Sequence, residues 1–270
     1  MTTVREELAA ASESLAEVGC DSPRLDAELL LARVLSTDRA GLVIASEEEV
    51  SGDDRTRYLA LLTRRVKREP IAYITGKRAF RRLTLAVDPR VLIPRPETEL
   101  LVEVGLGLPG AARVADIGTG SGAVALALKD ERADLHVIGV DCSQGALAVA
   151  RLNASRLRLE VEWWLGDLLE DVRATAVLAN LPYVVEGAEL PPEIRLYEPT
   201  AALYAGPDGL DVIRRLVAQS GERDELTLVA LEVGEGQADE VASLLAGAGF
   251  AQVKCLRDLA GIQRVVVARR

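Results

Sequence analysis

Arg113-Val114-Ala115-Asp116-Ile117-Gly118-Thr119-Gly120-Ser121-Gly122 runs from an apolar β pattern straight into a glycine-rich turn, and Ala123 to Leu128 continues with helical periodicity. A strand, a glycine turn and a helix in that order form the setting in which backbone approaches a ligand that side chains would obstruct. The spacing is G-x-G-x-G with Asp116 ahead of it, rather than the G-x-G-x-x-G of dinucleotide binding, which suits a sulfonium nucleoside better than a pyrophosphate. A tight strand-to-helix turn without a ligand is the plain alternative. Asp116, Gly118, Thr119, Gly120, Ser121 and Gly122 are therefore candidate cofactor-binding residues.

Downstream of this turn the chain alternates between strand and helix. Strand candidates are Arg113 to Ile117, His136 to Val140, Glu160 to Trp164, Thr175 to Ala179, Leu226 to Val233, Ala251 to Leu256 and Ile262 to Ala268. Seven strands with crossover helices predict an α/β fold with a doubly wound, mostly parallel sheet. Only Arg257 to Gly261 separates the last two, too little for a crossover, so they are expected to pair as an antiparallel hairpin. Asp141 closes the second strand, 23 residues beyond Gly118, where a carboxylate can accept hydrogen bonds from both ribose hydroxyls. Asp167 follows the third strand and can take an adenine amino group while Leu168 packs on the ring; capping the next helix is its alternative role.

Upstream, the pattern is helical. Apolar residues recur at helical spacing from Val4 to Val18, Ser22-Pro23 predicts a cap and first-turn proline for a helix to about Leu35, and Ser51 opens another towards Arg68. A helical domain over residues 1–76 is expected. Phe80 to Ile93 holds two apolar, β-branched stretches around Asp88-Pro89-Arg90, which predicts a β-hairpin or extended connector over 77–95. Residues 96–270 then form the α/β domain.

Asn180-Leu181-Pro182-Tyr183 follows the fourth strand, at the carboxyl edge where open α/β sheets bind ligands. An amide nitrogen is a poor nucleophile because its lone pair is delocalised into the carbonyl. A site that accepts its N–H bonds through the Asn180 side-chain oxygen and the Leu181 carbonyl helps localise and aim that lone pair, and positioning is most of the catalysis. Tyr183 would wall the site by stacking. Asn180, Leu181, Pro182 and Tyr183 are thus candidate catalytic residues, with Asn180 also near the cofactor. Together with the glycine turn they point to methyl transfer onto a planar amide or amine nitrogen. An Asn-x-Pro turn with no chemistry is the bland reading.

Composition bounds the partners. With 49% hydrophobic and 27% charged residues the chain can bury a sizeable core. The 32 Lys+Arg against 42 Asp+Glu leave a net charge of −10, which argues against long duplex nucleic acid. Arg64-Arg65-Val66-Lys67-Arg68 and the stretch Lys77-Arg78 to Arg81-Arg82 are candidate basic patches, with solvated surface charge as the ordinary reading. Cys20, Cys142 and Cys255 are odd in number and lack metal-ligand spacing, so neither disulfides nor a metal site is expected; they are expected buried or half-buried. No signal-like start and no apolar run long enough for a membrane is present, and a cytoplasmic monomer is expected.

The chain resembles the peptide chain release factor glutamine methyltransferases, the PrmC/HemK family. The matching segments are Pro70 to Gly76 with Phe80, then Leu92-Ile93-Pro94-Arg95-Pro96-Glu97-Thr98-Glu99, the glycine turn, Asn180 to Tyr183, Glu198-Pro199 with Gly206-Pro207-Asp208-Gly209-Leu210, and Glu232-Val233-Gly234. The resemblance implies a class I methyltransferase fold binding S-adenosylmethionine, and a helical N-terminal domain that contacts the release factor. It also implies methylation of the glutamine side-chain amide in a Gly-Gly-Gln loop, in translation termination. Two departures are Leu181, where the family has proline, and Leu168, where some relatives carry an aromatic residue. The alternative is an adenine amino-group methyltransferase acting on nucleic acid, with Tyr183 stacked on a flipped base. The net acidity and the lack of a basic recognition domain weigh against it. A non-catalytic adaptor would need a broken glycine turn or acceptor motif, and neither is broken.

Overall fold

Local chemistry sets where each helix begins. In the computed structural model, which describes residues 2–270, Thr3 and Glu6 form a reciprocal capping box at the start of α1 (Val4–Glu17). Pro23 opens α2 (Pro23–Val34), where its missing N–H leaves nothing unsatisfied; Ser22 sits at the cap position, but contrary to expectation its side chain makes no capping bond. Asp38 and Ser51 cap α3 (Arg39–Ile44) and α4 (Gly52–Val66), and α5 (Ile71–Thr75) ends on left-handed Gly76. The sequence does not predict α3 and α5, because six and five residues are too few to display a helical period.

The chain then runs through β1 (Lys77–Phe80), β2 (Leu83–Ala86), α6 (Glu99–Leu106), β3 (Arg113–Ile117), α7 (Ala123–Glu131), β4 (His136–Asp141), α8 (Gln144–Leu157), β5 (Glu162–Leu165) and β6 (Ala176–Ala179). It ends with α9 (Pro192–Tyr197), α10 (Asp211–Gly221), β7 (Leu228–Glu232), α11 (Ala238–Gly247), β8 (Gln252–Arg257) and β9 (Gln263–Arg269). Two compact units result. One is Met1–Gly76 with Leu190–Tyr197, the other Lys77–Glu189 with Glu198–Arg270. Nothing in the sequence pattern announces that α9 belongs with the helical unit.

Within the helical unit, Leu15, Leu30, Leu31 and Tyr58 fill the core, and the Tyr58 hydroxyl donates to the Ala27 carbonyl at 3.2 Å. In the basic run at residues 64–68, Arg64 and Lys67 are exposed, but Arg65 and Arg68 are not solvated charge. Arg65 is buried; its Nε donates to Asp26 at 2.7 Å and its Nη2 to Glu193 at 3.0 Å. Arg68 grips both Glu193 oxygens at 2.6 Å, and Arg64 pairs with Glu69. Glu193 thereby anchors α9 to the rest of this unit. In the other unit, Arg81 and Arg82 are likewise neutralised, by Glu103, Glu131 and Asp130.

The seven predicted strands form one sheet in the order β5-β4-β3-β6-β7-β9-β8, parallel except for β9, which runs antiparallel to both neighbours. Alternate residues of β3 and β6 feed apolar clusters on opposite faces: Ala115, Ile117, Val177 and Ala179 on one, Val114, Ala176 and Leu178 on the other. Strand order reverses between β3 and β6, and the register pairs Ile117 with Ala179. The two strands therefore end at the same height at the topological switch point.

Two expectations are corrected. The hairpin β1–β2 turns at Arg81-Arg82 rather than around Asp88-Pro89-Arg90: Phe80 pairs with Leu83, and Arg81 takes φ 48°. Pro89 has no N–H for a ladder, and the chain has already left the hairpin there. Cys142 is exposed, while Cys20 is buried and Cys255 half-buried; all three are free thiols. Among the described residues, no helix is long and apolar enough to cross a membrane.

The buried Arg65 generates a stability expectation. Asp26→Ala leaves that guanidinium without its closest partner and should cost about 3 kcal/mol in denaturant unfolding. An exposed-pair substitution such as Glu47→Ala, whose partner Arg5 is also exposed, should change little.

Candidate active site

The glycine turn is held by its own backbone and one buried carboxylate. Gly118 and Thr119 both donate their N–H to the Val140 carbonyl at 2.9 Å, tying the turn to the end of β4. Asp116 Oδ2 accepts from Thr119 Oγ1 at 2.6 Å and from the Ala125 N–H at 3.1 Å, so one oxygen joins the turn to the first residues of α7. Burial pushes the Asp116 carboxyl up to about 6, against those hydrogen bonds. Gly118 has φ 72°, and a Cβ there would stand 3.1 Å from Leu181 Cδ2 and 3.4 Å from the Asn180 carbonyl. The cofactor turn and the acceptor motif are thus in direct contact, and only glycine permits it.

Asp141 ends β4 with both oxygens engaged: Oδ2 accepts from the Gly120 N–H at 2.9 Å and Oδ1 from the Ser143 N–H at 2.8 Å. Burial raises its carboxyl, with the Ser143 and Gly120 amides opposing. Each carboxylate oxygen keeps a further lone pair for a ligand hydroxyl.

These residues line a cavity of about 290 Å³. It brings together Asp116, Gly118, Thr119, Gly120, Ser121, Asp141, Asp167, Leu168, Asn180, Leu181 and Pro182 from the sequence-derived set. Gly122 and Tyr183 do not line it. A Cβ at Gly122 would meet Leu126 and Trp163 at 3.0 Å, so that glycine serves close packing of α7. Asp167 is paired with Arg215, and no helix begins at Asp167, so it is not the predicted alternative cap. Leu168 is buried with φ 57°, and Leu181 is buried in the same apolar cluster, so its side chain packs as well as its backbone. The cavity wall also includes Arg90, Pro94, Thr98, Pro199 and Ala202, to which the sequence assigns no role.

A larger hollow of about 750 Å³ lies at the opposite end of the strands, beside Arg113, Thr175 and Arg223. Two of its three arginines are already engaged: Arg113 donates to the Arg173 carbonyl, and Arg223 to those of Val172 and Leu169. Among the described residues, no group of three or more His, Cys, Asp or Glu is placed to hold a metal ion.

Behind the acceptor motif lies a polar layer. Asn180 Nδ2 donates to Thr98 Oγ1 at 2.9 Å, and the Tyr183 hydroxyl donates to Glu232 Oε1 at 3.2 Å. Glu232 is 1% exposed, and its Oε2 has no hydrogen-bond partner among the described residues. Burial pushes its carboxyl up to about 7, although hydrogen bonds from Thr98 and Tyr183 pull the other way. The Tyr183 carbonyl accepts from Gln237 Nε2 at 3.0 Å, and a Cβ on Gly209 would approach that carbonyl to 2.2 Å. Glu198, also buried, accepts from the Ile93 N–H at 3.3 Å and from Arg95 at 2.6 Å. Neither Thr98 nor Glu232 carries a role in the sequence reading. The available signal is that both lie in segments carrying the family resemblance, and that Glu232 is a lone acid ending the otherwise apolar strand Leu228–Glu232.

Comparison with known proteins adds identity to this geometry. Residues 6–76 match the model of the PrmC N-terminal domain, and residues 96–193 that of the methyltransferase small domain. A release factor glutamine methyltransferase of Geobacter sulfurreducens is 39% identical over 274 residues, covering 99% of this chain and 96% of its own. Its counterpart in Mycolicibacterium smegmatis is 39% identical over 279 residues, covering 100% and 99%. The crystal structure of a methyltransferase from Pyrococcus furiosus superposes with a TM-score of 0.53 at 17% identity, over 81% of this chain and 98% of that one, a likeness of fold alone.

The Glu232 shift has a definite sign. A carboxyl that holds its proton up to about pH 7 when folded, but releases it in the ordinary carboxylate range when unfolded, loses stability as pH rises through that window. Glu232→Gln removes the titration. Its stability relative to wild type should therefore rise by about 3 kcal/mol between acid and pH 8, read by chemical denaturation at several pH values.

Proposed function

The chain belongs to the release factor glutamine methyltransferase family, and on that premise we infer that it methylates the side-chain amide nitrogen of the glutamine in the Gly-Gly-Gln loop of a peptide chain release factor, with S-adenosylmethionine as donor. The observation that carries this reading for the chain's own residues is the close approach of Gly118 to the Asn180 carbonyl and the Leu181 side chain, where donor turn and acceptor motif meet.

The residues suit that donor. The left-handed glycines 118 and 120 leave room that a Cβ would take, and the lone pairs remaining on Asp141 suit ribose hydroxyls. Asp167 and Leu168 are the adenine-side residues of this assignment, lining the same cavity. Bound there, S-adenosylmethionine supplies a methyl group on a cationic sulfur.

On the acceptor side, Nδ2 of Asn180 is committed to Thr98, so Oδ1 is the side-chain atom left to accept an N–H. Oδ1 and the Leu181 carbonyl take the two N–H bonds of the glutamine amide and hold its nitrogen facing the donor. The nitrogen becomes acidic only as it gains the methyl group, so no strong base is required beforehand and the proton passes to water. Pro182 lines the cavity, and Tyr183, fixed through its hydroxyl, backs it. The helical region 1–76 supplies contacts to the release factor, 77–95 connects, and 96–270 carries the chemistry. The protein acts as a cytoplasmic monomer and takes no nucleic acid directly.

Mass spectrometry of a release factor incubated with the protein and S-adenosylmethionine should find one added methyl on that glutamine. Duplex DNA should stay unlabelled, and a free Gly-Gly-Gln peptide should be labelled less well than the intact factor; preferential labelling of DNA would refute the assignment. Asp141→Ala should weaken donor binding about tenfold to a hundredfold by calorimetry. Asn180→Ala should abolish most turnover and leave that affinity nearly unchanged.

A further inference from the structure

We propose that Glu232 and Thr98 are a positioning pair for methyl transfer: the buried carboxylate accepts a hydrogen bond from the Thr98 hydroxyl, Thr98 thereby accepts from Asn180, and the Asn180 side chain is locked with its oxygen towards the substrate amide. This deepens the methyl-transfer reading and rests on it.

An asparagine amide has two chemically opposite ends of nearly equal size. Turned one way, it offers Oδ1 to the glutamine N–H bonds. Turned the other way, it presents its own NH2 to another NH2, two donors face to face. Asn180 must therefore be held in one orientation, and a hydroxyl alone cannot hold it, because Thr98 can donate as readily as it accepts. What decides is where the Thr98 proton goes. An ionised carboxylate is an acceptor only, so a Thr98 hydroxyl that donates towards Glu232 leaves its oxygen to receive Asn180 Nδ2, which stands 2.9 Å away. Thr98 is 4% exposed and Glu232 1%, so bulk solvent does not scramble the polarity of the relay. Tyr183 donates to the same carboxylate, which couples the first and last residues of the acceptor motif to one group.

A purely structural reading explains less. Glu232 ends a fully buried strand and leaves Oε2 unpartnered, an arrangement that glutamine would fill with less burial penalty. The charged groups acting on Glu232 are Glu97, which favours its neutral form, and Arg264 on β9, which favours the ionised one; Thr98 and Tyr183 favour the ionised form by hydrogen bonding. Protonation would weaken the charge-assisted bond and loosen Asn180 without removing any contact to the donor.

The test compares wild type, Thr98→Val, Thr98→Ser and Glu232→Gln on intact release factor, with donor affinity measured by calorimetry. Thr98→Val keeps shape and loses the hydroxyl. It should lower kcat about tenfold to a hundredfold, with donor affinity unchanged, while Thr98→Ser restores most of the rate. Wild-type kcat should fall as pH drops through about 7, and Glu232→Gln should lie below wild type at high pH and lack that acid limb. Full activity in Thr98→Val, equal impairment of Thr98→Val and Thr98→Ser, or an acid limb retained in Glu232→Gln would each overturn the proposal. Should Thr98→Val fold poorly, the serine rescue and the paired pH profiles still decide. A wild type that leaves release factor unmethylated would refute the function instead, so the two failures are distinguishable.

Discussion

The ladder between β3 and β6 is the constraint on which the site depends. With Ile117 opposite Ala179, both strands stop at one level, and the next residues of each, Gly118 and Asn180, emerge side by side. Both strands are buried on both faces, so a slip of one residue would turn Ile117 and Ala179 into the other apolar layer and drag the two loops out of step. The juxtaposition of donor turn and acceptor motif is thus enforced by backbone hydrogen bonds in the middle of the sheet. The loops themselves contribute little to choosing it.

Around that contact stand three buried carboxyls with different work. Asp116 ties the glycine turn to α7, Asp141 ties it to the start of α8 and keeps lone pairs in reserve, and Glu232 sits behind the acceptor motif. Burial raises all three from their ordinary values. Each carries a burial penalty at a place where its ionised form serves the chain as an acceptor. The arginines of the helical unit show the opposite use of burial, since Arg65 is matched by Asp26 and Glu193 and serves to hold elements together.

Legibility in the sequence followed distance along the chain. The seven strands and the glycine turn are written in consecutive residues, and period and spacing suffice to read them. The hairpin turn went astray because Asp88-Pro89 is the stronger local turn signal, while Arg81 adopts its left-handed conformation only because Phe80 and Leu83 pair around it. The basic run at 64–68 looked solvated because the carboxylate that meets two of its arginines lies more than a hundred residues away, at Glu193. For the same reason the residues contacting the cavity could be named from their motifs, whereas Thr98 and Glu232, which meet behind Asn180 from distant segments, could not be given roles.

The placement of α9 bears on how the protein is made. The helical unit is translated first, yet it is not complete when Gly76 leaves the ribosome, because Glu193 and its helix follow only after β6 has been synthesised. Until then Arg65 keeps Asp26, but Arg68 waits without its carboxylate. The amino-terminal helices must therefore persist unfinished on the nascent chain, and their last piece arrives together with the acceptor motif just ahead of it in sequence. A ribosome that stalls between those two points has made every amino-terminal helix but not the carboxylate that Arg68 takes, so completion of this unit is interleaved with synthesis of the sheet.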